Sequence, residues 1–268
     1  MKNKSMVPSH KLSKLITYQH PIWVIMSTVR VSSGISGIDV MLKGGFFANR
    51  VILLRGGPGT GKTIFSIQYL AEGAKKGQKG LFVTLEEPLE SIRKTAALLG
   101  FDLDGYEKQN LIKTIDGSQL VYKFSEETKK SFEGHKPVVS QVVNQIKLEA
   151  EDFGAQRLVI DPITSAIIHQ RFPTDKRLEI LELIRTLRKI KCTSIITSES
   201  ASFSGDEFFV EEYLADGVII LAKTMRNFVV TKSAWIEKMR GVNHDDQPRK
   251  YEITDKGIVV YATEPVTA

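Results

Sequence analysis

Eight consecutive residues, Gly56-Gly57-Pro58-Gly59-Thr60-Gly61-Lys62-Thr63, have the composition and spacing that phosphate binding requires. Glycines let backbone amides turn inward and approach phosphate oxygens with no side chain between. Lys62 would place a compact cation between the β- and γ-phosphates of a nucleoside triphosphate. The Thr63 hydroxyl would ligate a magnesium ion that bridges the same oxygens. Asp161 closes the apolar run Leu158-Val159-Ile160. A carboxylate at the end of a buried strand beside a phosphate loop suits magnesium organisation, through a coordinated water or through Thr63. Glu86 and Glu87 follow another apolar run. One of them could orient and polarise a water in line with the γ-phosphate. Two acids beside Pro88 equally favour a helix N-terminus, and spacing alone leaves both readings open.

These residues need a frame that brings strand ends together, and the chain predicts one. Val51-Ile52-Leu53-Leu54 before the phosphate loop reads as a buried strand, within residues 50–55. After the loop, Ile64, Phe65, Ile67 and Leu70 recur at helical spacing over residues 62–75, with Gly77 as the stop. The helix therefore starts at the phosphates and points its positive end at them. Further strands are predicted at 81–85, 111–115, 157–161, 193–197 and 217–221. Helices are predicted from Pro88 to about 99, over 138–153 and over 175–190. Residues 117–137 are polar and charged, show no clear element, and form a candidate partner surface. Beyond residue 221 the pattern changes to longer alternating strands at 227–238, 250–253 and 257–261, the last two around a turn at Asp255-Lys256-Gly257. Strands alternating with helices predict an α/β fold: a mostly parallel sheet flanked by helices, with a C-terminal antiparallel β-hairpin extension.

Composition narrows the class. Apolar residues are 42% and charged residues 25% of the 268, as in an ordinary globular protein. No apolar run approaches the roughly 20 residues that span a bilayer, so a cytoplasmic location with no membrane among the partners is expected. The single cysteine, Cys192, lies in an apolar run and reads as a buried thiol. The net charge of +6 would suggest a polyanionic partner, but five of the 37 basic residues fall in residues 1–30, where there is no acid. That leaves 32 basic against 31 acidic residues in the remainder. The basicity belongs to a leader, residues 1–28, expected to be a flexible arm, and residues 29–268 are expected to form one domain.

Several segments together resemble a known family. Ser33-Gly34-Ile35-Ser36-Gly37-Ile38-Asp39, then Gly44-Gly45, then the phosphate loop, look like the opening of a KaiC-type domain of the RecA superfamily. Val83-Thr84-Leu85-Glu86-Glu87 resembles that family's paired glutamates, and residues 213–219 its late strand. Lys238-Met239-Arg240-Gly241, His244 and residues 251–259 resemble its C-terminal signature. The resemblance covers roughly residues 31–261 and is weakest over 101–150. It implies a RecA-like P-loop NTPase core that binds ATP with magnesium and hydrolyses it. It implies that Glu86 is the catalytic carboxylate and that Glu87 supports it. It further implies that Lys238 and Arg240 reach across a subunit interface to a neighbour's γ-phosphate, where cations neutralise developing charge; His244 is a further candidate for that phosphate. The residues themselves show only that an i, i+2 spacing puts Lys238 and Arg240 on one face of a strand. A trans site implies a homo-oligomer, a hexameric ring or a filament.

Three kinds of member are consistent with these motifs: a regulatory or assembly ATPase with an unidentified protein partner, a recombinase-like DNA-repair accessory ATPase, and a nucleotide-gated interaction module with negligible turnover. A clock-type autokinase is disfavoured, because its acceptor Ser and Thr would fall at Glu212 and Tyr213. DNA is not favoured. Residues 200–217 contain Asp206, Glu207, Glu211, Glu212 and Asp216 with no Lys or Arg, the wrong sign for a phosphate backbone. His169, Arg171, Lys176 and Arg177 offer a weak basic patch at most, and Glu199 stands where recombinases usually carry a glutamine.

Overall fold

A computed structural model describes residues 29–130, 138–167, 173–199 and 210–265. Along the chain run β1 (Arg30–Val31), α1 (Ser36–Met41), β2 (Phe46–Phe47), β3 (Val51–Gly56), α2 (Lys62–Lys75), β4 (Gly80–Thr84), α3 (Leu89–Leu98), α4 (Leu103–Lys108) and β5 (Ile112–Asp116). Then follow α5 (Ser118–Lys130), α6 (Val138–Phe153), β6 (Arg157–Asp161), α7 (Thr164–Ile167), α8 (Pro173–Lys189), β7 (Thr193–Glu199) and α9 (Val210–Leu214). The C-terminal part holds β8 (Gly217–Arg226), β9 (Val229–Met239), β10 (Arg249–Thr254) and β11 (Gly257–Pro265).

The strands β3, β4 and β6 carry uninterrupted apolar runs because both of their faces are covered, and β7 is equally buried although Thr193, Ser194, Thr197 and Ser198 flank its apolar pair Ile195-Ile196. They lie in a nine-stranded sheet of order β11-β10-β9-β8-β3-β7-β6-β4-β5. From β8 to β5 every pairing is parallel, and β8–β9, β9–β10 and β10–β11 are antiparallel. A core lies on each face. One gathers α1, α2, α3 and the C-terminal strands around Phe65, Phe82, Tyr69 and Tyr251. The other gathers α6 and α8 around Val139, Val142, Ile180, Leu183 and Ile184. This is the predicted mostly parallel sheet with flanking helices and an antiparallel C-terminal extension.

The opening segment is a packing device. Asp39 accepts hydrogen bonds from the Ser32 hydroxyl (2.6 Å) and the Ser33 amide (2.8 Å), which closes the turn into α1. Gln68, on α2, donates to the Gly34 carbonyl (2.8 Å) and accepts from the Ile258 amide (2.8 Å). One side chain thus ties the phosphate-loop helix to both ends of the fold.

Three local expectations are revised. Residues 118–130 are helical: Leu120, Val121 and Phe124 supply an apolar stripe toward the second core, which the polar residues around them masked. The Asp116 carboxylate accepts from the Ser118 amide (3.0 Å) and starts that helix. Pro88 precedes its helix as the N-cap instead of occupying the first turn. The strand expected to end at 221 continues to Arg226, and Asn227, expected to begin the next strand, forms the turn with Phe228.

Candidate functional site

Parallel register fixes the site's plan. Gly56, at the end of β3, pairs with Glu199 at the end of β7, and Thr84, at the end of β4, pairs with Asp161 at the end of β6. Four strand ends therefore meet along one edge of the sheet, the usual location for ligands in open α/β sheets.

The loop at 57–61 links β3 to α2. Gly59 and Gly61 have φ of +71° and +92°, the left-handed region that glycine enters without strain. A Cβ added at Gly57 or Gly59 would meet nothing within 4 Å, so space lies open in front of the loop. At Gly61 it would come within 2.9 Å of the Ile253 side chain, so that glycine is needed for packing behind the loop. Thr60 is buried; its hydroxyl donates to the Gly57 carbonyl (2.8 Å) and its carbonyl accepts from the Tyr251 hydroxyl (2.6 Å). Pro58 is exposed. The Lys62 ammonium bonds the carbonyls of Gly56 (2.8 Å) and Gly57 (3.3 Å). Burial pushes the Lys62 amine below its ordinary pKa, while the negative charges of Glu199, Asp161 and Glu86 act in the opposite direction.

Those three acids surround the loop. Asp161 is buried and accepts hydrogen bonds from the hydroxyls of Thr197 and Thr63. Burial pushes its carboxyl above the usual aspartate range, opposed by both hydroxyls and by the Lys62 charge. Glu86 is exposed and is held by the Ser165 hydroxyl, at the start of α7 (2.9 Å). Glu87 is half-buried and accepts from Ser91, in the first turn of α3 (2.5 Å). Five of the expected residues, Lys62, Thr63, Asp161, Glu86 and Glu87, are thus brought together. A triphosphate fits the open side of the loop, and a magnesium ion fits the paired oxygens of Thr63 and Asp161, a hard-cation donor set.

Lys238 and Arg240 are elsewhere. Lys238 pairs with Val218, near the start of β8, and the Arg240 amide bonds the Asp216 carbonyl (2.9 Å). The Asp216 amide in turn bonds the Val51 carbonyl (2.8 Å), at the start of β3. Five residues of strand, about 17 Å at 3.3 Å each, separate that end of β3 from Gly56. The Lys238 ammonium reaches the Glu212 carbonyl, and Arg240 donates to the Tyr213 carbonyl (2.9 Å). Asp216 accepts from Arg188 (2.8 Å), with Arg240 at 3.8 Å and Arg50 at 3.7 Å. Burial lowers the Lys238 pKa, and the neighbouring Arg240 charge adds to that effect. Both cations reach the Tyr213 carbonyl, although Arg240 lies one residue beyond β9 instead of within the strand. Arg240 is level with the start of β3, and Lys238 is level with Leu53, three strand residues short of Gly56. His244 approaches the Val242 carbonyl through Nδ1 (3.1 Å).

Sequence reasoning missed Thr197, Ser165, Ser91 and Tyr251. Only the pairing of β6 with β7 reveals that Thr197 faces Asp161, and isolated hydroxyls carry no spacing signal. Glu199 was noticed only as a departure from recombinases, whereas its charge reaches Lys62. His169 and Arg171 lie outside the described residues, as do residues 200–209 of the acidic stretch at 200–217, with Asp206 and Glu207.

Comparisons with known proteins agree on one family. A family model described as a KaiC ATPase matches residues 31–265. A UPF0273 protein of Pyrococcus horikoshii is 35% identical over 238 residues, covering 87% of this chain and 94% of that one. The circadian clock protein KaiC3 of Synechocystis is 28% identical, over 86% of this chain but 45% of that longer one. The crystal structure of a KaiC-like protein from Pyrococcus horikoshii superposes with a TM-score of 0.73 at 34% identity, covering 87% of this chain and 99% of that one.

Proposed function

Since the chain belongs to the KaiC ATPase family, we propose that residues 29–268 form one cytoplasmic ATPase domain that hydrolyses ATP between the subunits of a homo-oligomer, and that turnover gates a regulatory or assembly interaction with a protein partner. One observation carries the trans reading. The acids and the phosphate loop lie at the ends of β3, β4, β6 and β7, while Arg240 is level with the start of β3, Lys238 is level with Leu53, and both side chains are held on the carbonyls of α9. Both cations are thus held away from their own phosphate loop, which supports supply to a neighbour's phosphates.

In this reading residues 56–63 bind the phosphates through inward backbone amides and the N-terminus of α2. Lys62 exchanges its carbonyl contacts for β- and γ-phosphate oxygens. Thr63 and Asp161 would hold magnesium, which neutralises phosphate charge when bound. Glu86 orients the attacking water, with Ser165 fixing the carboxylate and Glu87 supporting the turn. The neighbour's Lys238 and Arg240 stabilise charge developing on the transferred phosphoryl group.

Complementation tests this. Glu86→Gln and Arg240→Ala should each bind ATP and be nearly inactive alone. Mixed in equal amounts, they should recover a substantial part of wild-type turnover, because some interfaces then carry both intact halves. Mixtures as inactive as either variant, with assembly intact by light scattering, would reject the trans assignment.

A further inference from the structure

The sheet's last parallel pairing on β8 is Gly56 with Leu221, and β10 pairs with β9 only through Ser233 and Ala234. Residues 222–232 therefore leave the sheet as a two-stranded ribbon. Its end is apolar and solvent-exposed: Phe228 is 98% exposed, Met225 70%, Val229 63% and Val230 49%. Phe228 sits in the turn with φ +64°, a conformation that costs an aromatic residue more than glycine or asparagine. A fully exposed ring held at such a position points to a function outside the fold.

Behind the apolar end lies a cationic collar. Lys223 and Lys232 face each other directly across the ribbon, on the same side as the opposed pair Met225 and Val230. Like charges directly opposite are unfavourable in the free protein. From residue 217 to 236 the chain carries Lys223, Arg226 and Lys232 and no acid. The charge of Lys232 does reach Glu252 on β10, but that carboxylate is already held by Lys250 (2.8 Å) and Tyr261 (2.9 Å).

We propose that this ribbon tip docks on an anionic lipid surface. The order of the residues carries the argument. Behind the turn at Asn227 and Phe228 come the pairs Arg226–Val229 and Met225–Val230, then the threonine pair Thr224–Thr231, then the lysine pair. Phe228, Val229, Val230 and Met225 therefore lead together with Arg226, and the two lysines follow. Two to three residues of strand, roughly 7–10 Å, separate the apolar end from the ammonium groups. A peripheral protein buries its apolar face about 5–10 Å into the headgroup boundary, so the lysines arrive at the phosphates of the lipid, with flexible stems to reach them. At that shallow depth the ribbon's unpaired edge amides stay hydrated. Single-stranded nucleic acid fits less well, because bases reward aromatic platforms and this tip offers one ring beside three aliphatic side chains. Among the described residues no helix is long and apolar enough to cross a membrane. A hairpin tip needs no such run, so composition gave no sign of this contact.

The test is flotation of the full chain at physiological salt with phosphatidylcholine vesicles, with and without a quarter of phosphatidylglycerol. The wild type should float with the anionic vesicles and at least ten-fold less with the neutral ones. The triple variant Met225→Thr, Phe228→Asn, Val230→Thr keeps strand and turn preferences and should lose at least ten-fold of the bound fraction. Lys223→Gln with Lys232→Gln should lose binding to anionic vesicles selectively. Unchanged melting and nucleotide affinity would show that both variants are folded. Wild-type protein that stays unbound overturns the proposal. So does a triple variant that floats as the wild type does, which would place binding on the basic residues 1–28. A triple variant that instead loses single-stranded DNA binding, or changes assembly mass, with no vesicle binding by the wild type, reassigns the tip to nucleic acid or to a second copy. The vesicle and DNA outcomes leave the hydrolysis reading untouched; only a change in assembly mass would bear on it, because that reading needs a neighbouring subunit.

Discussion

At the residue scale the site is a set of offset charges. Lys62 is bound to its own loop carbonyls, and Asp161 is buried against two hydroxyls. Replacing Lys62 with alanine removes charge-assisted contacts worth about 1.5–3 kcal/mol each. Affinity for ATP should fall roughly 10- to 100-fold in a fluorescent-nucleotide titration; unchanged affinity would remove Lys62 from phosphate binding. Asp161 has a raised pKa because of burial. An acid whose pKa is higher in the fold than in the unfolded chain favours folding while protonated and costs stability once pH exceeds the unfolded value. Asp161→Asn should therefore raise the melting temperature of nucleotide-free protein at pH 7 to 8, with a gap that closes as pH falls from the raised folded value down to the ordinary aspartate value. It should also weaken the magnesium dependence of ATP binding. A lower melting temperature at neutral pH would show that the Thr197 and Thr63 hydrogen bonds outweigh the desolvation.

At the element scale the phosphate loop is held from behind. The Tyr251 hydroxyl bonds the Thr60 carbonyl, and Ile253 and Ile258 close on Gly61. Gln68 joins α2 to Gly34 and to β11. The same logic explains Gly37 on α1: a Cβ there would overlap the Val260 carbonyl on β11. Gly37→Ala forces backbone apart in a packed core and should cost about 1–3 kcal/mol. For a domain of this size that is a fall of roughly 3–10 °C in melting temperature. An unchanged melting temperature would mean that α1 and β11 are not locked together as described. The glycine- and serine-rich opening segment thus supports the site by packing on α2 and β11.

At the scale of the whole molecule, α9 lies between the two halves of the proposed machinery. Its carbonyls hold Lys238 and Arg240, its Glu212 pairs with Arg55 beside the phosphate loop, and its buried Glu211 accepts from Ser198 at 3.3 Å. If hydrolysis needs a neighbour, turnover per subunit must depend on assembly. Specific ATPase activity should rise steeply with protein concentration across the range where light scattering shows assembly, then level off. Constant specific activity down to concentrations where only monomers scatter would place the whole reaction within one chain.

Much of the site was legible because its signals are local. The loop at 56–63 must be contiguous, since its amides have to converge on one anion, and Asp161 follows an apolar run that can only be a buried strand. The parallel core was legible for the same reason: strands covered on both faces read as unbroken apolar runs. Helix α5 was not, because Leu120, Val121 and Phe124 among mostly polar residues give a weak periodicity that only packing resolves. The ribbon tip was not, since a strand that leaves its sheet looks in sequence like one that stays. Chain order by itself determined which residues could hold phosphate and metal. Tertiary structure alone decided that Thr197, Ser165 and Glu199 join them and that Lys238 and Arg240 do not, because strand register sets which side chains share a sheet edge, and register depends on contacts between segments far apart in sequence.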